Sequence, residues 1–496
     1  MPLERSSWPN RPKIIEINTW PWLTNLSDKF GYEIKLNDIP LELIDHELSI
    51  FDVVWLMGVW ERSPRGREIA MNHEGLQGEY KKVLRYYDSQ DVVGSPYSVY
   101  YYHVSSYLGG SDALKKFREE LSTRNLLLIL DYIPNHVAID HLWTLEKSDV
   151  FIKGTIEDLM TKPYDFFSVG NKVYAHGRDP NFSSWTDTVQ INAFSSEARS
   201  KAINTLLSIA QQCDGVRCDM AMLMTNDVFS KTWGEKAGTP SDKEFWEEII
   251  LAVKNRYPDF KFIAEVYWGM ERDLIHQGFD YCYDKKLYEC LLSFNVQRVR
   301  DHLKLDSDYQ NKLLRFIENH DEPRAITTFG SEASKAAFII ASTIPGARLV
   351  FEGQTHGFKT KIPVQLGRGA IEEDDVNILE FYDKILRIIP GREFDEAKWL
   401  VCDIKPVDIN DNSYNNLISY QWLLGDTRLV IVINYSSNSS KAHIIIDEIN
   451  YGQSYWRFTD LITEQEYNYK GTNLSENGLY IELNGWKSHI FRVEKV

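Results

Sequence analysis

Asp214-Gly215-Val216-Arg217-Cys218-Asp219-Met220-Ala221-Met222 is the stretch whose reading decides the fold. The run Gly215 to Cys218 reads as a buried strand in which small or apolar side chains alternate with charged ones. It ends on a carboxylate, Asp219, with Arg217 two residues earlier. Side chains two apart on a strand point to the same face, so Arg217 and Asp219 share one. The fixed guanidinium charge would keep that carboxylate ionised at neutral pH. An ionised, oriented carboxylate at the end of a barrel strand is what a covalent nucleophile needs. A structural ion pair explains this segment alone equally well, and the rest of the chain has to decide.

Working outward, residues 14–20 and 53–57 read as strands. Residues 126–130 form a continuous apolar run, the pattern of a strand buried on both faces of a parallel sheet. Helices are expected over 38–51, with Asp38 as cap and Pro40 in the first turn, and over 111–123, capped by Ser111. The alternation continues with a helix at 197–212 before the Gly215 strand, and a helix at 243–256 before a strand at 262–265. Strands at 279–284 and 312–317 follow, then a helix at 331–343 and a last strand at 348–351. Eight alternating βα units over roughly 390 residues argue for an α/β fold, a TIM (β/α)8 barrel. Residues 137–192 are too long for a loop in a compact domain and read as a subdomain inserted after strand 3. Beyond about Arg392 the texture changes to short strands between Asn, Ser and Gly turns, as at 429–433, 443–446 and 480–483. That predicts a C-terminal antiparallel β-sandwich. The expected domains are a catalytic barrel over 1–136 and 193–392, the insert over 137–192, and the sandwich over 393–496.

The chain has 496 residues, enough for one large domain and a smaller one. At 43% hydrophobic and 26% charged it is ordinary globular material. Its 13% aromatics, 14 of them Trp, fit a sugar-binding cleft, although cores use them too. The formal charge of −17 argues against a nucleic-acid or anionic-membrane partner. Five cysteines without C-x-x-C spacing read as free thiols in a reducing compartment, with no metal site. Residues 1–13 lack an apolar leader core and no apolar run is long enough for a span, so a cytoplasmic location is expected.

Four polar clusters fall at the ends of barrel strands: Asp131…Asn135-His136, Arg217…Asp219, Glu265, and Asn319-His320-Asp321. Catalytic groups of TIM barrels collect at that rim. In this order the segments resemble the four short sequence regions of the alpha-amylase family, glycoside hydrolase family 13. The matches are Asp131-x-x-x-Asn135-His136, Gly215-x-Arg217-x-Asp219, Glu265 after Phe262-Ile263-Ala264, and Phe316-x-x-Asn319-His320-Asp321. The resemblance covers the whole chain, since that family also has a subdomain after strand 3 and a C-terminal β-sandwich. It implies Asp219 as nucleophile, Glu265 as general acid/base and Asp321 as transition-state stabiliser in a retaining double displacement. It further implies that His136 and His320 hydrogen-bond the sugar, that Arg217 holds Asp219, and that Tyr97 stacks on the same sugar. Asp131, Trp268 and Arg324 complete the candidate substrate-binding set, the last two divided evenly between cleft and scaffold.

Some positions depart from the family pattern. Met222 and Leu223 stand where endo-acting members carry Lys-His, so the sugar site beyond the cleavage point is built differently. Gln190, in Thr188-Val189-Gln190-Ile191-Asn192, stands where calcium-binding members place an Asp. Asn135 matches the other common ligand, but calcium prefers several charged oxygens, which weighs against a structural calcium; no cofactor is required. Ser98 replaces an Asp common in glucosidase-type members, whereas Asn319 to Arg324 looks like theirs. The implied activity is hydrolysis of α-glucosidic bonds, α-1,4 foremost, in maltooligosaccharides or related α-glucans. Transglycosylation or isomerisation of α-glucosides is the alternative. A non-catalytic interaction protein of this fold would be expected to lack one of the three carboxylates, and all three are present.

Overall fold

A computed structural model describes residues 7–146, 149–391, 394–425, 427–449 and 451–496. Its centre is a closed barrel of eight parallel strands arranged in chain order. These are β1 (Lys13–Asn18), β2 (Val53–Met57), β3 (Leu127–Tyr132), β4 (Gly215–Cys218), β5 (Lys261–Ala264), β6 (Tyr281–Tyr283), β7 (Leu313–Arg315) and β8 (Ala347–Phe351). Every residue of β2, β3 and β4 is buried, and β2 and the first four residues of β3 accordingly read as apolar runs, broken only by Asp131 in β3 and Arg217 in β4. Register places Arg217 of β4 between Asp131 of β3 and Ile263 of β5. Gly215 is needed for this close pairing. A Cβ there would lie 2.9 Å from the Lys261 carbonyl oxygen, closer than real Cβ contacts come.

The intervening helices follow the periodicity, with instructive exceptions. Residues Ser331–Thr343 form the expected helix to the residue. Gly109, at φ 99°, holds the cap position expected for Ser111, which lies inside the helix Gly110–Thr123. Only glycine is comfortable in that left-handed conformation. Thr19–Phe30 is a helix, so the strand expected over 14–20 ends at Asn18. Proline is tolerated in a first helical turn, and Trp20, Trp22, Leu23 and Leu26 supply a buried face. The helix expected over 38–51 is shorter: it begins at Leu41 and runs unbroken through Leu41–Leu43 and the wider turns of Ile44–Leu48, preceded by a separate 3-10 turn Leu36–Asp38. Pro40 separates the turn from the helix, because a residue preceding proline avoids helical geometry.

The chain forms two compact units. The first comprises Met1–Trp8, Ile14–Tyr283 and Thr360–Ile371; the second comprises Pro9–Lys13, Asp284–Lys359 and Glu372–Val496. Within the first, the segment after β3 opens and closes on one antiparallel ladder, His136–Ala138 against Thr188–Gln190. Between them lie the helix Ile156–Thr161 and the hairpin Phe166–Val169/Lys172–Ala175. Within the second unit, residues beyond 398 form a six-stranded and a three-stranded antiparallel sheet. One apolar cluster joins them, with Val430, Val432 and Phe458 from the larger and Ala442, Ile444 and Ile481 from the smaller. The helix Gly471–Asn477 and the short 3-10 turn Ser413–Asn416 interrupt the expected all-β texture.

The two units part after Tyr283, and the boundary expected at 392/393 lies at residues outside the described set. They part there because the β-sheets are tied to the late barrel helices. Trp422 donates its indole N–H to the Thr343 carbonyl at 2.7 Å, and the Tyr435 hydroxyl reaches the Leu291 carbonyl at 2.9 Å. Arg300 Nε reaches the Leu417 carbonyl at 2.9 Å. All five cysteines are free and buried. Among the described residues no helix is long and apolar enough to cross a membrane.

Candidate active site

The carboxyl ends of β3, β4 and β5 are locked by backbone hydrogen bonds one step past the strands. Asp219 N donates to the Tyr132 carbonyl at 2.9 Å, and Glu265 N to the Cys218 carbonyl at 3.0 Å. These bonds fix where the two acidic side chains begin. Arg217, 1% exposed, then joins them. Its Nη1 donates to Asp219 Oδ1 at 2.6 Å and its Nη2 to Glu265 Oε2 at 2.7 Å. Nε reaches the Tyr283 hydroxyl at 3.3 Å. The rings of Trp55, Tyr97 and Tyr283 lie 5.6, 5.3 and 5.7 Å from the guanidinium carbon, within cation–π range. Burial pushes the guanidinium down, but Glu265, Tyr283, Tyr97 and Asp219 outweigh that and hold it well above its ordinary value. One permanently charged fork therefore holds two buried carboxylates side by side, a stronger arrangement than the single Arg217–Asp219 pair expected from the sequence.

Glu265 has two further donors that sequence reading missed. The Met220 N–H reaches Oε2 at 2.7 Å, and the Tyr267 hydroxyl reaches Oε1 at 2.8 Å. Met220 has φ 42°, unusual for a side-chain-bearing residue, in the turn that delivers its N–H to the site. Backbone strain of this kind persists where surrounding structure enforces it, and it clusters at functional sites. Trp268, at φ 63°, is the second such residue here and is 47% exposed. Met222 and Leu223 are buried in the short turn Ala221–Met224, so these two replacements serve the core.

His136 is held at the start of the insert's ladder, its ring 5.0 Å from that of Trp185. Burial pushes its imidazole down from 6.5 to about 4, against the pull of a hydrogen bond with the Tyr97 backbone. Burial likewise pushes His141 down to about 4, and its Nδ1 accepts the Trp143 N–H at 3.1 Å. Both rings are therefore neutral in the folded chain at pH 7. Unfolding frees them to bind protons, so their depressed values subtract stability as pH falls below about 6.5, completely by about 4. From pH 7 to pH 5 the loss is about 2 kcal/mol per histidine. Urea denaturation at the two pH values measures it, and His141→Gln should lessen the drop by about one histidine's share. An undiminished drop in that variant would remove His141 from the account.

Asp131 is buried and directed into the scaffold, Oδ1 accepting from Trp55 Nε1 at 3.1 Å and Oδ2 from Gly58 N at 2.7 Å. Tyr97 is half-buried, its ring against Arg217. Gln190 is fully buried, and its Nε2 donates to Asn135 O at 2.9 Å, Asn135 Oδ1 at 2.9 Å and Ile191 O at 3.0 Å. Oxygens that an ion would use at the family's calcium position already accept from an amide. The residues present do not fit a calcium ion there.

The loop after β7 belongs to the second unit. Asn319 Oδ1 accepts from the N–H groups of Asp321 and Glu322, both at 2.9 Å, which folds the loop back on itself. His320 is buried with Nε2 3.0 Å from Asp321 Oδ2, whereas the Asp321 side chain is 41% exposed. Arg324 is buried. It donates to Glu318 Oε1 at 2.9 Å and to the Glu352 carbonyl at 2.7 Å, and it lies 4.3 Å over the Phe351 ring. These partners place Arg324 in the scaffold that joins the ends of β7 and β8.

Residues 86–384 match the model of the alpha-amylase catalytic domain. The alpha-amylase MalA of Haloarcula japonica is 21% identical over 350 residues, 68% of this chain and 47% of that protein. A cyclomaltodextrinase of Geobacillus thermopakistaniensis is 19% identical over 70% of this chain and 58% of its own. The aligned part thus spans about half the length of the curated relatives it matches. Among solved structures, the maltogenic alpha-amylase AmyB of Thermotoga neapolitana superposes with a TM-score of 0.67 at 19% identity, covering 97% of this chain and 98% of that one. The alpha-amylase of Geobacillus thermoleovorans gives 0.66 at 17%, covering 98% and 99%. At these identities the structural likeness speaks for the fold, and the matched catalytic domain for the lineage: the chain belongs to the alpha-amylase family of glycoside hydrolases.

Proposed function

We propose that the chain is a retaining glycoside hydrolase that cleaves α-glucosidic bonds, α-1,4 foremost, in maltooligosaccharides or related α-glucans. The observation that carries this reading is the single Arg217 fork that holds Asp219 and Glu265 together. A guanidinium spanning both supports the short carboxyl separation of about 5–5.5 Å that retention uses, against the wider gap of inverting enzymes. Asp219 attacks the anomeric carbon while Glu265 protonates the departing oxygen; Glu265 then takes a proton from the water that releases the sugar. Asp321, from its motif position, stabilises the charge that develops on the sugar ring. His136, His320, Tyr97 and Trp268 bind substrate, while Asp131 and Arg324 act through the scaffold they hold. Relatives named alpha-amylase and cyclomaltodextrinase support the choice of α-glucans.

The test is the product profile from maltoheptaose, separated by chain length and by anomer. Short oligomers released as α-anomers support the reading, and β-anomers overturn retention. Products longer than the substrate would make the chain a transglycosylase that uses the same two carboxylates.

A further inference from the structure

An acid/base carboxyl has to keep one proton in one place, and the geometry around Glu265 does this. A carboxylate offers about four lone-pair sites. Arg217 Nη2 and the Met220 N–H occupy Oε2, each at 2.7 Å, and the Tyr267 hydroxyl occupies one site on Oε1 at 2.8 Å. Three sites are filled by donors from described residues, and the fourth, also on Oε1, is left for the reaction.

The local chain explains why Tyr267 is there. Glu265 and Tyr267 are two residues apart just past β5, and the Tyr267 hydroxyl turns to Glu265 Oε1 while Val266 between them is fully buried. Trp268 and Gly269, at φ 63° and 76°, then swing the chain away after Tyr267.

We propose that Tyr267 is a positioning residue that orients Glu265 and confines its transferable proton to the one remaining site on Oε1. The inference rests on Glu265 being the acid/base. In the first step an Asp219 oxygen forms a bond to the anomeric carbon, and the bond from that carbon to the glycosidic oxygen breaks. Its electron pair stays on the glycosidic oxygen, which takes the proton from Oε1. In the second step a water oxygen bonds to the anomeric carbon and the ester to Asp219 breaks. The water proton returns to Oε1. Throughout, the Tyr267 hydroxyl donates to the other lone pair of Oε1, so the carboxyl cannot rotate its proton away from the leaving oxygen.

Tyr267→Phe removes one oxygen from a half-buried ring and leaves the fold intact, which thermal unfolding checks. The decisive comparison is kcat/KM on maltoheptaose against α-maltosyl fluoride, whose fluoride leaves without a proton. The variant should lose about tenfold on maltoheptaose, a fraction of the usual general-acid contribution, and stay within about twofold on the fluoride. An equal fall on both substrates, or none on either, overturns the role of Tyr267 and leaves the function intact. If the wild type turns over neither substrate, the acid/base assignment fails and this proposal falls with it.

Discussion

Asp219→Asn should fold as the wild type does and lose at least ~10³-fold in turnover of maltooligosaccharides, the scale seen when a nucleophile is removed. The substitution keeps the shape. An Asn carbonyl can still accept from Arg217 Nη1, which Asp219 Oδ1 does at 2.6 Å. Arg217 also keeps its bond to Glu265, so no buried cation is stranded. What is lost is the negative oxygen that would bond to the anomeric carbon, and a neutral amide does not replace it. A second variant separates chemistry from packing. Asp219→Gly opens space where azide can attack α-maltosyl fluoride from the vacated side, and the product should be the β-configured azide. Turnover by Asp219→Asn within tenfold of wild type would remove Asp219 from the mechanism.

The parts of this site that sequence exposes are those set by strand periodicity. Arg217 and Asp219 are two apart on β4, and the register that puts Arg217 beside β5 follows from parallel pairing. All four motifs sit at the ends of the strands β3, β4, β5 and β7 or within a few residues past them, where the alternation of strands and helices already located the rim. The donors to Glu265 were not legible in the same way. The Met220 N–H reaches the site only because that residue adopts φ 42°, and nothing in the sequence announces a methionine in that conformation. Tyr267 could have been found, since it lies two residues beyond Glu265, yet it carries no motif. Arg324 and Asp131 show the opposite failure. Both lie in family motifs, but their polar atoms are directed at Glu318 and the Glu352 carbonyl, and at Trp55 and the Gly58 N–H. Position in a motif marks the loop, and only the direction of a side chain tells cleft from scaffold. The unit boundary after Tyr283 was hidden for a related reason. It depends on Trp422, Tyr435 and Arg300 reaching helices and strands far away in sequence.

Arg217→Met is the substitution with the largest expected effect on stability and activity together. The guanidinium is buried and bonded to two carboxylates that are themselves 6% and 3% exposed. Methionine fills comparable length with apolar atoms and leaves the buried Asp219 carboxylate beside the Glu265 carboxyl without a cation. Breaking a buried ion pair in this way costs about 3–5 kcal/mol, mostly the penalty of the charges left behind. Urea denaturation at pH 7 measures it, and a loss below about 1 kcal/mol would mean that water or another group already compensates these carboxylates. Arg217→Lys should restore part of the stability, because the charge returns, but little activity, because an ammonium cannot fork to both oxygens. The triple change Arg217→Met, Asp219→Asn, Glu265→Gln removes the stranded charge and both acids as well and should recover most of what the single change lost, a strongly non-additive result. A chain that becomes stable again only after its two acids are neutralised would show why the cation is there. It makes a buried carboxylate tolerable at the distance from the acid that the chemistry needs, and its contribution to the fold is that of a partner the carboxylate cannot do without.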